Sequence, residues 1–586
     1  MVQNKQVFST MLILAAVVVA ASVGCGVSSR DSTGTSPEIA PPTLGEPIKI
    51  EESDLYQKKG DLLYVQNPHT GLNIIDVSDP LEPKSLGQAP VVGKAGELYL
   101  REKYAIVLLE TATQSCRAPN NLYLTGWQRE TEVVLVDVQD ATAPSVIERY
   151  CMPGTLVDSR MVNDFLFIVT AYEQNGSRAF SLDLSVPKAA RVVQHLYFPG
   201  VSKEINVTPD AIYVAGQTDE PVTCGDSWCE SYTTNTHVQY VEISPATGMM
   251  TRRGSIVVEG EPQGRFHMDA RDGQFRIVTY NSYERTSSLY ILDVRNPDEI
   301  SVIGKLDNIG YGERLYATRF DGDRAYVVTF RQNDPLWIVD LKNPAEPTIV
   351  GALHVPGWSD FIFPRGDKLL CVGRGDFGQG LGVSLFDVSD PSEPWVIDQI
   401  QFGYGDTVSE ANVDHRAVTI VDNVQGLPLL IVPYAVLDYH NYEGCDRKDL
   451  VQLVQVDTWR LKVRGAVEQQ GTVRRTMLLE KTLLSISDYE LLSVNLKDLD
   501  NPAKNAQLTI GNQSALDPSI QEFSCYGYGL MNDYVEEAQW FPNCNLGPNG
   551  PTPPSAMVYV GMVFLVGWIF RRQFQRNKSA NRVKLS

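Results

Sequence analysis

Residues 373–378 read Gly-Arg-Gly-Asp-Phe-Gly, the GxGxxG spacing that cradles a pyrophosphate when a strand enters it and a helix leaves it. No helical pattern follows here. β-rich runs flank the motif on both sides, so it reads as a glycine-rich hairpin loop. Two RGD triplets, Arg365-Gly366-Asp367 and Arg374-Gly375-Asp376, fall in the same region, and the first is a Gly-Asp turn. HExxH, GxxxxGK[ST], GxSxG and paired CxxC motifs are absent, and the seven histidines show no metal-ligand spacing. No catalytic residue, metal site or cofactor is therefore expected.

Aromatic side chains that could anchor a partner collect in three insertions, at 110–130, 216–237 and 434–449. They carry Tyr123, Trp127, Trp228, Tyr232, Tyr439, His440 and Tyr442, and each holds at least one cysteine. Long connections on a rigid scaffold are where binding concentrates, and Trp and Tyr are favoured anchors. The competing reading is that these aromatics pack their own loops, with the cysteines as staples.

The elements that must position these insertions form a repeat. An acidic residue ends an apolar run at Asp76, Asp137, Asp183, Asp293, Asp340, Asp387 and Asp457, and Glu242 and Asn495 hold the same place in two degenerate copies. The shortest regular spacing is about 47 residues. Each unit holds four β-rich runs, the first two joined by a Gly-Asp turn such as Asp321-Gly322-Asp323 and the last two by a turn such as "KNPAEP". Four antiparallel strands repeated at this period predict an all-β chain folded as a β-propeller over 51–511. Nine repeats are counted. Eight blades remain possible if the first copy (51–91) or the ninth (472–511) is not a true blade.

The turn chemistry explains its own repetition. Proline fixes φ for a type I turn, with Asn or Asp favoured just before it. The second proline opens the fourth strand, the outer edge of a blade, where a missing N–H is tolerated. The Asp ending the third strand can accept N–H bonds from the turn, which makes it scaffold. Because strand direction alternates, the insertions, all between second and third strands, open on one face and the Asp-Pro turns on the other.

Both ends read as membrane addresses. Residues 11–23, "MLILAAVVVAASV", follow Lys5 and suit the h-region of a signal peptide, being too short to span a bilayer. They run into "SVGCG", similar to a bacterial lipoprotein signal, which would make Cys25 a lipidated N-terminus. Ser22 departs from the aliphatic residue such signals prefer, and the alternative is ordinary cleavage with Cys25 a plain thiol. At the other end, residues 556–570 are uncharged and mostly apolar, followed by Arg571 and Arg572. Fifteen helical residues cover about 22 Å of a roughly 30 Å core, with Trp568 and the arginines extending the reach. The expected organisation is a signal peptide (1–24), a flexible tether (25–50), the propeller, a cysteine-containing cap or stalk (512–554), a transmembrane segment (555–571) and a basic tail (572–586).

Net charge is −21. With the seven basic residues of the two ends set aside, 43 basic side chains face 71 acidic ones. A field of that sign argues against nucleic acid as a partner of the body. Nine cysteines suit an exported chain. Cys116 and Cys151 share a repeat, Cys224 and Cys229 could close locally, and Cys525 and Cys544 flank one segment. Pairing stays open on sequence, and Cys371 reads as a buried thiol in an apolar strand.

The stretch "GERLYATRFDGDRAYVVTFRQNDPLWIVDLKNPAEPTIVGALHVPGWSDFIFPRGDKLLCVGRG" (312–375), continued by "VSLFDVSDPSEPWVID" (383–398), resembles bacterial and archaeal secreted proteins with a C-terminal β-propeller domain distantly related to WD40 repeats. The resemblance implies fold and export and lends no chemistry. The expected function is an envelope-located, membrane-anchored propeller, outside the cytoplasm, that binds a protein, peptide or glycan through its inserted loops. The alternative is an envelope hydrolase or lyase with its site in the central channel. That would need an acid/base set converging from the first strands of different blades, which sequence does not assemble.

Overall fold

The computed structural model describes residues 50–516 apart from 52, 111–115, 123–129, 173–175, 222–231, 331–333, 356, 376–378, 404–406 and 440–444. The described chain forms nine antiparallel sheets. Blade 1 runs from strand Tyr56–Lys59 to Lys84–Ala89, blade 2 from Ala95–Leu100 to Ser145–Met152, and blade 3 from Thr155–Val162 to Arg191–Phe198. Blade 4 runs from Val201–Val207 to Met250–Glu259, blade 5 from Met268–Arg271 to Ser301–Ile309, and blade 6 from Arg314–Asp321 to Thr348–Val355. Blade 7 runs from Trp358–Arg365 to Trp395–Phe402, blade 8 from Thr407–Val408 to Leu461–Gln469, and blade 9 from Val473–Leu479 to Ala503–Thr509. The first and ninth copies are both full blades, so the ring has nine.

The apolar runs follow from burial on both faces of each blade. In blade 2, Ile106, Leu108, Val133 and Leu135 pack against blade 3 residues Leu166, Ile168 and Phe180. Their sequence neighbours Ala105, Val107, Leu109, Val134 and Val136 pack the other way, against Tyr64, Leu72 and Ile74 of blade 1. Alternate residues of one strand therefore serve two interfaces, and each buried aliphatic side chain contributes about 1.5–3 kcal/mol.

The repeated acid works as scaffold. Asp340 Oδ1 accepts from Lys342 N at 2.8 Å, and Asn343 Oδ1 accepts from Ala345 N at 3.2 Å. Asp387 and Asp390 repeat the pair, each at 2.9 Å. Glu242 departs from the pattern and bonds Arg253 instead.

A bulge recurs between the third and fourth strands of all nine blades. In blade 6 it brings Gly351 opposite Ile338 and Ile349 opposite Val339. Gly351 then receives the turn of the next blade: a Cβ there would lie 2.0 Å from Pro391 O and 3.2 Å from Pro394 Cδ. Gly304 of blade 5 meets Pro344 O and Pro347 Cδ in the same way, at 2.0 and 3.1 Å. The second proline of the turn thus wedges against the preceding blade as well as opening its own outer strand.

The ring closes by packing. Leu63, Val65, Ile75 and Val77 of blade 1 meet Leu484, Ile486 and Leu491 of blade 9, with Ile510 just beyond it. Asn67 Nδ2 donates to Asp488 O at 2.8 Å, Thr70 Oγ1 to Ile510 O at 2.5 Å and Ser493 Oγ to Pro80 O at 2.6 Å. Neither blade borrows a strand from the other end of the chain. Upstream of blade 1, Ile50–Glu51 lies antiparallel to the first strand of blade 3, with Ile50 opposite Val162. No helix among the described residues is long and apolar enough to cross a membrane, and 555–571 lies outside them.

Candidate functional site

The three insertions lie between second and third strands, but they are not alike. In blade 4 the flanking strands extend as a ribbon, Ala211–Pro221 with Tyr232–Ile243. In blade 8 they are Leu427–Tyr439 with Cys445–Val456. The outer strand of blade 4 stops where Glu259 faces Asn235, and that of blade 8 where Gln469 faces Asp449. Beyond those points the pairs run on to Pro221–Tyr232 and Tyr439–Cys445. The two-stranded pairs therefore outrun the outer strands by about 10 Å and 13 Å, at roughly 3.3 Å per residue, while their bases stay tied down: Thr407 of the first strand faces Val436, Arg447 donates to Thr472 Oγ1 of blade 9 at 3.0 Å, and Gly260 N donates to Thr234 O at 2.7 Å.

The blade 2 insertion turns outward instead. Cys116 is disulfide-bonded to Cys151 of the outer strand, with a Cα–Cα distance of 5.3 Å. Arg117 N donates to Arg149 O at 3.0 Å, and Val192 N of blade 3 donates to Asn120 O at 3.0 Å. Residues 116–122 thereby cover the outer edges of blades 2 and 3, one way in which a sheet avoids pairing with other chains.

Tyr232 and Tyr439 sit at the ends of the blade 4 and blade 8 ribbons. Tyr123, Trp127, Trp228, His440 and Tyr442 lie outside the described residues, as do Cys25, Cys224, Cys229, Cys525 and Cys544. Cys371 is buried.

The first strands line the centre of the ring, and here the structure assembles what sequence reading missed. Six of them carry a bulge, at Gly96, Val157, Lys203, Tyr316, Asp360 and Arg474, between the paired residues that flank each. Bulges re-aim side chains, and Glu97, Asp158, Glu204 and Arg475 each directly follow one. Glu97 of blade 2 accepts from Ser159 N of blade 3 at 3.3 Å and from the Ser159 hydroxyl, which also pairs with Tyr99 OH at 2.8 Å. Burial, reinforced by the charge of Asp158, pushes the Glu97 carboxyl up to about 8. Burial and the same aspartate push Glu204 of blade 4 up to about 7.

Blade 8 supplies a further element. Its first strand is broken: Thr407–Val408 and Thr419–Val424 pair separately with the second strand. Two single-turn helices, Glu410–Asn412 and His415–Ala417, fill the break, capped by the Ser409 and Asp414 side chains. Arg475 of blade 9, 1 % exposed, bridges Asp54 Oδ1 at 2.6 Å and Asp414 Oδ2 at 2.5 Å. Arg416 holds Asp414 and donates to Ser53 O at 3.0 Å. These bonds fix the segment that threads the centre ahead of blade 1. The clue was in the spacing: Asp387 to Asp457 is 70 residues, more than the 434–449 insertion explains.

Between these elements lies a cavity of about 600 Å³. Blades 4, 6, 7 and 8 contribute, with the connection between blades 4 and 5: Glu204, residues 263–267, Tyr316–Arg319, Asp360–Phe363 and 412–416. His267 is a clip rather than a base. Its Nδ1 accepts from Gln263 N at 3.1 Å, and burial pushes the imidazole down to about 3. Glu204 is a lining carboxyl poised near neutrality, the range that suits proton transfer. Among the described residues no group of three His, Cys, Asp or Glu could hold a metal ion.

A family model described as "Beta propeller domain" matches residues 48–189 and 178–499. An uncharacterized protein of Methanocaldococcus jannaschii is 40% identical over 148 residues, 24% of this chain and 23% of that protein. One of Archaeoglobus fulgidus is 37% identical over 164 residues, 28% of this chain and 26% of the other. The matched stretch thus spans about a quarter of the length of these curated relatives. Among solved structures, BamB from Moraxella catarrhalis aligns at TM-score 0.35 and 10% identity, covering 67% of this chain and 93% of that one. A hypothetical selenium-binding protein from Sulfolobus tokodaii aligns at TM-score 0.30 and 12% identity, covering 58% and 88%. Scores this low carry no argument. The family match, spread over all nine blades, agrees with the ring described above, and the chain belongs to the β-propeller domain family.

Proposed function

We propose that this protein is an exported, membrane-anchored propeller of the bacterial cell envelope that binds a protein, peptide or glycan partner. The observation that carries the reading is the pair of ribbons raised from blades 4 and 8 on the face opposite the Asp-Pro turns. A closed ring of nine packed blades holds them rigidly, and rigid presentation lowers the ordering cost of binding. The apolar stretch ahead of Cys25 and the one ahead of Arg571 support export and anchoring. The test is cross-linking in intact envelopes, comparing the wild-type chain with Trp127, Trp228 and Tyr439 replaced together by Ala. Loss of specific adducts with the melting temperature retained supports the reading, and unchanged adducts overturn it.

A second reading, a hydrolase or lyase working in the channel, is favoured by Glu204, which lines the cavity with its carboxyl near neutrality. It requires turnover of an envelope glycan or peptide that Glu204→Gln abolishes.

A further inference from the structure

We propose that the turn face binds a neutral saccharide at the junction of blades 7 and 8, its pyranose rings lying on Trp395 and Trp459. The site is on the face opposite the ribbons and stands without the ribbon-face reading.

In the junctions described above, a turn bearing two prolines wedges against a glycine of the preceding outer strand. Blade 8 does without that wedge. Its third and fourth strands are joined by four residues, 457–460, where blade 7 uses seven, 388–394, and neither proline is present. Asp398 of blade 7, opposite Leu385, stands where Gly351 of blade 6 stands opposite Ile338. Its Oδ2 accepts from Leu461 N at 2.7 Å. The short turn carries Trp459, and Trp395 opens the outer strand beside it. The two rings lie 6.2 Å apart, with planes 23° from parallel. Yet Trp459 is 66 % exposed and Trp395 43 %. A pair that served only to pack two blades would be buried. Paired large aromatics left in water are the kind of surface that a partner covers.

The charges around the pair select the occupant. Lys368 Nζ lies 5.4 Å from the Trp459 ring centroid and donates to Asp387 Oδ2 at 3.2 Å. Arg460 Nε lies 3.8 Å from Asp457 Oδ2. Each of these two cations is matched by a carboxylate, so an anion gains little here. The 388–394 turn adds Asp390 and Glu393, both exposed, and no cation of its own. Acids at that place repel an anionic lipid surface. A cationic partner would meet Lys368 already at the ring. A neutral ligand meets none of these obstacles. A pyranose offers a face of C–H groups, which the negative face of an indole attracts, and a rim of hydroxyls. Asp457, Arg460 and Lys368 supply acceptors and donors to that rim. The blades hold both rings in place beforehand, which lowers the ordering cost of binding.

The full-length chain, purified in a detergent without a sugar headgroup, would be titrated by calorimetry and tryptophan fluorescence. The probes are chitohexaose, cellohexaose and maltohexaose, with hexalysine and phosphatidylglycerol in mixed micelles as the competing classes. The expected result is saturable binding of at least one hexasaccharide, with a blue shift of tryptophan emission as water leaves the rings. Trp459→Ala and Trp395→Ala should each weaken it at least about tenfold at an unchanged melting temperature, while Trp459→Phe, which keeps a ring, should lose about threefold or less. Replacing Trp127, Trp228 and Tyr439 together by Ala should leave the affinity unchanged, which separates this site from the ribbon face. Absence of saturable binding by all three saccharides, binding without an emission shift, unchanged affinity in both alanine variants, or loss in the triple variant overturns the proposal. Binding of hexalysine or phosphatidylglycerol that both alanine variants abolish assigns the pair to a basic segment or a lipid surface and overturns it as well.

Discussion

Gly351 in the outer strand of blade 6 and Pro391 in the turn of blade 7 approach so closely that the smallest side chain would collide with the proline carbonyl, at 2.0 Å. The carbonyl is backbone and cannot swing away, so Gly351→Ala must part the two blades locally. Overpacking of this kind costs about 1–3 kcal/mol. Chemical unfolding should show Gly351→Ala and Gly304→Ala lowering the midpoint to similar extents, and no change at either position would refute the interlock.

Arg475 joins Asp54, ahead of blade 1, to Asp414 in the broken strand of blade 8. Arg475→Met takes the bridging cation from Asp54, while Arg416 still holds Asp414. Removing one partner of a buried pair costs about 3–5 kcal/mol. The expected readout is faster proteolysis near residue 52 together with reduced stability. If Arg475→Met resists protease as the parent does, the arginine is not what fastens the segment.

Two classes of carboxyl give the stability profile opposite slopes. Glu97, at about 8 in the fold against 4.5 unfolded, retains a proton that the unfolded chain has lost. Its contribution is fully present below about 4.5 and is lost as pH rises through about 8. The turn acids run the other way. Asp293, held to about 2 by bonds from the Arg295 side chain and backbone, contributes above the unfolded range near 4 and loses that contribution as pH falls toward 2. Glu97→Gln should therefore flatten the decline between pH 5 and pH 8 and leave the acid limb intact. An unchanged alkaline slope would remove Glu97 as its source.

The Cys116–Cys151 bond fastens the blade 2 insertion to the outer strand and spans 35 residues. Closing a loop of that size is worth about 2–4 kcal/mol. Reduction should expose 116–130 to protease before the blades themselves are cut. Simultaneous cleavage of insertion and blades would show that the bond supports the ring and not merely its cover.

The blades were legible because their middle strands are buried on both faces. "LWIVDL" is apolar at successive positions for that reason, and the turn that follows repeats its Asp in seven of the nine units and both prolines in three. Gly351 was visible as a letter of the same motif, but its partner lies 40 residues on, in another blade, and only the ring brings Pro391 to it. The central charges were harder to see. Glu97 in "GELYLREK", Glu204 in "SKEINV" and Arg319 in "ATRFDGD" read as ordinary polar positions of exposed strands. A ring converts those first strands into a lining, and one bulge decides whether a given side chain points inward. The break in blade 8 left only an oversized spacing, since Ser409 and Asp414 cap helices of a single turn.

The two ends of the described chain leave the ring from opposite faces. Ile50 lies beside Val162, next to the first-to-second turn of blade 3, on the side of the Asp-Pro turns. Asn512 donates to His69 O in the second-to-third hairpin of blade 1, on the side of the ribbons. An anchor upstream of Ile50 would set the turn face toward the bilayer and hold the ribbons outward, as a platform holds what stands on it. An anchor downstream of Leu516 would turn the ring over and press the ribbon face and the 263–267 side of the cavity toward the lipid. With both anchors in one membrane, the opposed pulls would tip the ring onto its rim.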